Sequence, residues 1–134
     1  MGEVVAVSVA EPSWQDIGGR PVFTSIVRAA SDRPVRFAAG GPDGNATAVH
    51  TEEVFACFAE HYDHWAARLG IDRAAWGACH WGENLMLAGL PDEAALHVGD
   101  RLRVGEALLE VTSPRIPCFK LSWRLGQPES SFAT

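Results

Sequence analysis

Residues 98–112, VGDRLRVGEALLEVT, decide the fold class of this chain. Arg101–Val104 and Ala107–Thr112 are rich in residues that favour strands, and Gly105-Glu106 separates them as a two-residue turn. This pattern predicts a tight antiparallel hairpin. Further strands are predicted at Val4–Val9, Val22–Arg28, Val35–Ala38 and Leu85–Leu87, with a loop over Glu11–Arg20. Because strands outnumber helices, we expect a mainly β fold of the α+β class in a barrel-like arrangement.

One main helix is predicted over Glu52–Leu69. Thr51 precedes it as the N-cap, and Gly70 follows it as the C-terminal cap. The run GGPDGN at 40–45 is the densest turn signal, and Asp72–Ala78 is predicted to be a loop with one helical turn. The apolar positions that recur at helical spacing are Val54, Phe55, Phe58, Tyr62, Trp65, Ala66 and Leu69.

Length and composition indicate one globular domain over residues 1–134. Eleven Lys and Arg against 17 Asp and Glu give a formal charge of −6, and the basic residues are scattered. Binding to a nucleic-acid polymer is therefore not expected. No apolar run reaches the roughly 20 residues of a membrane helix, and acidic Glu3 stands where a signal peptide would be basic. We expect a cytoplasmic protein that does not enter a membrane.

The cysteines and histidines do not form a standard metal motif. Cys57, Cys79 and Cys118 are odd in number and widely spaced, which argues against a disulfide scaffold or a structural zinc site. His61 and His64 have the i, i+3 spacing that could hold a metal on one helix face. A surface helix that flanks Tyr62 and Trp65 explains the same residues.

The segment SPRIPCFKL, residues 113–121, is where chemistry is expected. Two prolines restrict the backbone on either side of Arg115 and Ile116 and so position Cys118. Positive charge from Arg115 and Lys120 would favour the thiolate of Cys118, and a thiolate is both a nucleophile and a soft metal ligand. The alternative is a buried, inert cysteine that packs as a small apolar side chain.

Seven motifs occur in an order that resembles one known family. They are TSIVR at 24–28, EHYDHW at 60–65, WGENL at 81–85, GL at 89–90, VGDRLRVG at 98–105, LEV at 109–111 and PRIPCFKL at 114–121. Each motif alone is weak evidence, but the ordered set covers nearly the whole chain. The sequence closely resembles bacterial MOSC proteins of the YiiM type, a family named after the C-terminal domain of molybdenum cofactor sulfurase.

The resemblance implies a MOSC-type β-barrel that holds a molybdenum cofactor of the molybdopterin type. Cys118 matches the catalytic cysteine that binds molybdenum or carries transferable sulfur. Characterised members reduce small N-hydroxylated substrates, and their electrons come from a separate redox protein. The family is also associated with pyridoxal phosphate binding.

The family pattern further implies a set of cofactor contacts. Thr24, Ser25 and Arg28 match positions that face the pterin or its phosphate, and Glu83 and Asn84 match the pocket wall; ordinary strand surface or a structural turn explains these residues as well. The remaining candidates are Asn45, His50, Arg115 and Lys120. Many relatives continue from a Gly-Asp pair into HGGPDKAV, whereas here Gly44-Asn45 leads to His50-Thr51-Glu52-Glu53-Val54, without that Asp and Lys.

Relatives of this type continue for several dozen residues beyond the cysteine segment, so a shortened barrel could be completed by a homodimer or by another partner.

Two other functions remain open from the sequence. A barrel that keeps its fold without the cofactor would be a small-ligand-binding or interaction module. A cysteine-dependent hydrolase is a further alternative, because sequence distance does not exclude a histidine near Cys118 in space.

Overall fold

The computed structural model describes residues 2–44, 53–90 and 93–127. Within these ranges, short 3-10 turns lie at Arg73–Ala75 and Glu93–Ala95. The strands and helices, in chain order, are β1 Glu3–Val9, β2 Ser13–Ile17, β3 Arg20–Thr24, β4 Ala29–Ala30, β5 Phe37–Ala38, β6 Gly41–Pro42, β7 Ala56–Phe58, α1 Ala59–Leu69, β8 Leu85–Ala88, β9 Arg101–Val104, β10 Ala107–Glu110 and α2 Phe119–Arg124.

The largest sheet has four strands in the order β4-β1-β8-β7. β8 lies inside it, antiparallel to β1 and parallel to β7, and its residues Leu85, Met86 and Leu87 are buried. A strand that is covered on both edges and both faces is expected to be continuously apolar, which explains the run at Leu85–Leu87. A β-bulge between Val4 and Ala6 shifts the register of β1 against β8.

Separate two-stranded hairpins lie outside this sheet. The predicted hairpin is confirmed, with Ala107 opposite Val104 around Gly105-Glu106. The prediction of a loop over Glu11–Arg20 is wrong, because β2 and β3 pair there with Ile17 opposite Arg20. Gly18 and Gly19 adopt positive φ values of 62° and 80°, the conformation that a tight two-residue hairpin turn requires.

The second predicted strand also ends early. β3 stops at Thr24, so residues 25–28 of the predicted strand Val22–Arg28 leave the sheet. The hydroxyl of Thr24 accepts a hydrogen bond from the Ile26 amide at 3.3 Å, a local bond that replaces a strand partner. The predicted strand at Val35–Ala38 shortens to Phe37–Ala38, which pairs with Gly41–Pro42 across the turn at Ala39-Gly40.

The predicted helix Glu52–Leu69 begins too early. Residues 56–58 form β7 beside β8, and α1 starts at Ala59 with Phe58 as its N-cap. Short apolar runs have no periodicity that separates a buried strand from a helix, so the two elements merged in the sequence pattern. Thr51 lies outside the described residues. The C-terminal cap is confirmed, since Gly70 has a φ of 68° and its amide bonds the carbonyl oxygens of Ala66 and Ala67.

A second helix, α2, was not predicted. It has six residues, fewer than two helical turns, and is too short to show an amphipathic repeat. The chain is thus mainly β with two helices, an α+β fold. The ten strands of the described ranges form one four-stranded and three two-stranded sheets, and they do not close into the expected barrel. No helix in those ranges is long and apolar enough to cross a membrane.

The hydrophobic core lies between α1, β8 and the end of α2. Its buried members are Tyr62, Ala66, Trp76, Cys79, Met86 and Leu125. Tyr62 is the centre of an aromatic group, because its ring stacks on Trp81 with centroids 4.1 Å apart and meets the edge of Trp76 at 6.0 Å. The aromatic group fixes the chain segment that leads from α1 into β8.

We predict that Gly82→Ala destabilises the fold much more than Gly99→Ala. The two glycines share similar φ values, +90° and +94°, but a Cβ at Gly82 would lie 2.8 Å from Ile26 Cγ1, whereas nothing lies within 4 Å at Gly99. Since both variants carry the same backbone strain, the difference between their unfolding free energies reports the steric clash at Gly82 alone. We expect Gly82→Ala to lose about 1–3 kcal/mol more unfolding free energy than Gly99→Ala, as measured by urea denaturation. Equal losses would contradict the close packing of these segments.

Candidate functional site

The loop Cys79–Asn84 forms the framework of the candidate site. Cys79 and Gly82 both have positive φ values, 56° and 90°, and the Gly82 amide donates to the Cys79 carbonyl oxygen at 3.2 Å. A positive φ at a residue other than glycine is uncommon and persists only where the surroundings enforce it. Burial of Cys79 in the core and the contact between Gly82 and Ile26 supply that constraint.

Glu83 is the buried polar centre of this loop and is fully shielded from solvent. Its Oε1 accepts a short hydrogen bond from the Tyr62 hydroxyl, which in turn accepts one from the Trp81 amide at 3.1 Å. The main-chain oxygen of Glu83 accepts from the Ser8 hydroxyl at 2.5 Å. Among the described residues, Oε2 has no hydrogen-bond partner.

Burial controls the ionisation of these groups. It raises the pKa of Glu83, and the hydrogen bond from Tyr62 opposes this rise only in part. The pKa of Tyr62 is also raised, first by burial and then by the Glu83 charge. Both shifts are in the direction of the protonated, uncharged forms.

Asn84 joins three strands at the start of β8. Its Oδ1 accepts from the Phe55 amide at 3.1 Å, and its Nδ2 donates to the Ser8 carbonyl oxygen at 3.1 Å. Its main-chain groups bond the same two residues. Asn84 is 3% exposed, and its side chain links β1 to Phe55, the residue before β7.

Arg28 crosses from the chain after β3 to this loop. Its Nε donates to the Gly82 carbonyl oxygen at 2.7 Å, and its Nη2 donates to the Ser25 hydroxyl at 3.4 Å. Burial is the main cause that lowers the pKa of Arg28, and the charge of Arg115 lowers it further. Arg115 is exposed, and its guanidinium carbon is 5.3 Å from the centre of the ring of Phe55, whose amide bonds Asn84 of the same loop. Guanidinium and hydroxyl groups are suited to an anion.

Cys118 is exposed at the start of α2. Its carbonyl oxygen accepts from the amides of Leu121 and Ser122 at 3.0 and 3.4 Å, so the residue is the helix N-cap. The alternative of a buried thiol at this position is therefore wrong. Burial instead raises the pKa of the thiols of Cys57, which is half-buried, and Cys79, which is fully buried.

The helix α2 is attached to the same loop that holds Arg28. Arg124 Nε donates to the His80 carbonyl oxygen at 3.2 Å, and the His80 ring Nε2 lies 3.4 Å from the Arg124 carbonyl oxygen. Leu125 anchors the end of the helix in the core. Burial lowers the pKa of His80, and the Arg124 charge adds to this, so a neutral ring is favoured. Loop residues 80–82 thus contact both Arg28 and the helix that begins after Cys118.

The predicted site residues fall into three groups. Ser25 and Arg28 meet beside Gly82 of the loop, and Arg115 lies over the ring of Phe55. Thr24, Glu83 and Asn84 are buried and bond groups of the protein. Cys118 is exposed and Lys120 half-buried on α2. Asn45 and His50 lie outside the described residues. Sequence reasoning missed Ser8, Tyr62, His80 and Arg124; a small polar residue inside the apolar strand β1 was the one available signal, at Ser8.

The proposed two-histidine metal face is not supported. His61 Nε2 is 3.5 Å from Glu93 Oε2, and the His64 ring packs against the edge of Trp65. In residues 2–44, 53–90 and 93–127, no three His, Cys, Asp or Glu side chains are grouped so that they could hold a metal ion.

We predict that Tyr62→Phe loses about 2–3 kcal/mol of unfolding free energy, because it removes the donor to Glu83 and the acceptor of the Trp81 amide. Glu83→Gln keeps an oxygen that can accept from Tyr62 and removes a buried acid, so its loss should be smaller. Chemical denaturation at neutral pH measures both. A Tyr62→Phe variant as stable as the wild type would contradict the structural role of this pair.

Comparison with known proteins identifies relatives over most of the chain. A family model described as the MOSC domain matches residues 40–134. The Bacillus subtilis protein YflK, itself uncharacterized, is 31% identical over an alignment of 134 positions that covers 94% of this chain and 58% of the relative. A protein of Gibberella moniliformis named reductase is 33% identical over 111 residues, 82% of this chain and 18% of the relative.

A solved structure agrees with these matches. YiiM from Geobacillus stearothermophilus superimposes with a TM-score of 0.70 at 28% identity, covering 96% of this chain and 58% of that one. The chain thus spans little more than half the length of YflK and of this structure. The family match over residues 40–134, together with the shared fold, shows that this chain belongs to the MOSC domain family.

Proposed function

We propose that this chain is a MOSC domain that binds a molybdopterin-type molybdenum cofactor and takes part in reducing N-hydroxylated substrates. The observation that carries the proposal is the exposed thiol of Cys118, three residues after Arg115. The relative named reductase supports the reaction class. The proposal concerns the activity, the cofactor and the substrate, beyond membership of the family.

The side chains fit the chemical groups of such a cofactor. Two guanidinium groups and the Ser25 hydroxyl suit a phosphate, since Arg is a planar donor that matches phosphate oxygens. An accessible cysteine suits a soft metal, because a thiolate binds such metals better than oxygen ligands do.

The overall reaction fixes what the protein must provide. Reduction of an N-hydroxylated amine breaks the N–O bond, takes up two electrons and two protons, and releases the amine and water. When bound, the cofactor supplies the two-electron chemistry, and a separate redox protein supplies the electrons. In this proposal Arg28 and Arg115 bind the anionic end, the Cys79–Asn84 loop holds Arg28 in place, and Cys118 binds the metal.

A sulfur carrier is a second candidate for the same residue. The exposure of Cys118 supports it, because a thiol that passes sulfur to another molecule must be accessible. Mass spectrometry of the purified protein separates the two functions. A carrier shows one additional sulfur atom on Cys118, whereas a metal-binding cysteine does not.

We predict that protein from cells that make the cofactor retains molybdenum and that Cys118→Ala retains at least about tenfold less, as loss of a metal ligand requires. Cys57→Ala is the matched control, because this half-buried thiol has a pKa raised by burial and should not bind the metal. Arg28→Gln should lower retention as well. Metal analysis measures all four proteins. No molybdenum in the wild type, or equal amounts in Cys118→Ala, would contradict the proposal.

A further inference from the structure

A cavity of about 200 Å³ lies between the β2–β3 turn and α2. Phe119, the residue that follows Cys118, forms part of its wall. The cavity is therefore directly beside the segment that carries the exposed thiol. The described residues that line it are Ile17, Gly18, Arg20, Phe119, Ser122, Trp123 and Gln127.

The lining combines aromatic, apolar and cationic groups. Ile17 and Ser122 are 5% and 1% exposed and form the closed side of the cavity. Phe119 and Trp123 offer aromatic surface that can pack on a planar ring. Arg20 is the one charged residue among the described lining residues.

Size and charge restrict the ligand. Since one water takes roughly 30 Å³ in the liquid, the cavity has room for a single substituted ring and is smaller than the roughly 300 Å³ of typical drug-sized pockets. The chain has a formal charge of −6, so a small anion needs a local cation to bind. A guanidinium is well suited to a carboxylate, because the two groups can form paired hydrogen bonds.

We propose that this cavity binds a small aromatic carboxylate, with its ring between Phe119 and Trp123 and its carboxylate at Arg20. This inference rests on the proposed function, since it makes the cavity the subsite for the non-reacting part of the substrate. The substrate class is then an aromatic acid with an N-hydroxylated group directed towards Cys118.

The test is an NMR titration of the full chain with benzoate, and with benzamide as a neutral ligand of the same shape. Benzoate should bind with a roughly millimolar dissociation constant, as expected for a ligand of nine non-hydrogen atoms, and should shift the indole signal of Trp123. Benzamide should bind at least about threefold more weakly, as the loss of one exposed ion pair implies.

Two arginine variants test whether Arg20 causes the preference for benzoate over benzamide. Arg20→Gln should bind benzoate and benzamide equally, whereas Arg101→Gln should keep the preference, because Arg101 lies on β9 and pairs with Glu110 at 3.9 Å. Equal binding of the two ligands to the wild type, no effect of Arg20→Gln, or no shift at Trp123 would each overturn the proposal.

The result of the benzoate titration can be distinguished from the result of the molybdenum measurement. Cys118→Ala should still bind benzoate even where it loses molybdenum, and Arg20→Gln should still retain molybdenum even where it loses the preference for benzoate. Loss of benzoate binding in Cys118→Ala would overturn the cavity assignment, because Cys118 is not among the residues that line it.

Discussion

The hydrogen bonds around the buried Glu83 are the interaction on which the candidate site depends. Tyr62 on α1 bonds its carboxyl group, and Ser8 on β1 bonds its main-chain oxygen. A buried polar group without partners costs about 1–3 kcal/mol, so these contacts tie the loop to both elements at once. The loop then bonds Arg28 through Gly82 and α2 through His80. Loss of this network would therefore affect Arg28 and the helix that begins after Cys118 together.

Burial also determines the charge pattern of the interior. It raises the pKa of Glu83, Tyr62, Cys57 and Cys79, which favours the neutral form of each group. Arg28 stays cationic near neutral pH despite its lowered pKa, because a guanidinium loses its proton only far above that range. An acidic chain can in this way present a local positive site, and the net charge of −6 does not predict where an anion binds.

The sequence predicted some parts of this fold and missed others for identifiable reasons. The hairpin at 101–110 follows from β-forming residues around a tight turn, and Gly70 follows from the need for a left-handed residue after α1. The β2–β3 hairpin was missed because Gly18-Gly19 and Pro12 were interpreted as loop residues, although two consecutive glycines also allow a tight turn. β3 ends early at Thr24, whose hydroxyl bonds the Ile26 amide, and the following residues include Arg28, whose bond to Gly82 lies 54 residues along the chain and has no local sequence signal.

For the candidate site too, the sequence predicted some residues, while other features required the three-dimensional structure. The resemblance to a family selected Ser25 and Arg28, which meet in space, and Glu83 in the loop that Arg28 bonds, but the contacts of Tyr62 and Ser8 that hold this loop are visible only in three dimensions. The exposure of Cys118 could not be derived from its neighbours, because a free cysteine between apolar residues can also pack in a core as a small apolar side chain.

The most direct test of this account is the hydrogen exchange of the Arg28 Nε proton, measured by NMR on the ligand-free protein. The bond to the Gly82 carbonyl oxygen should make this proton exchange much more slowly than that of Arg101, whose guanidinium is largely exposed. Slow exchange would show that the loop holds Arg28 before any ligand binds. Equal exchange rates for the two arginines would contradict the central claim.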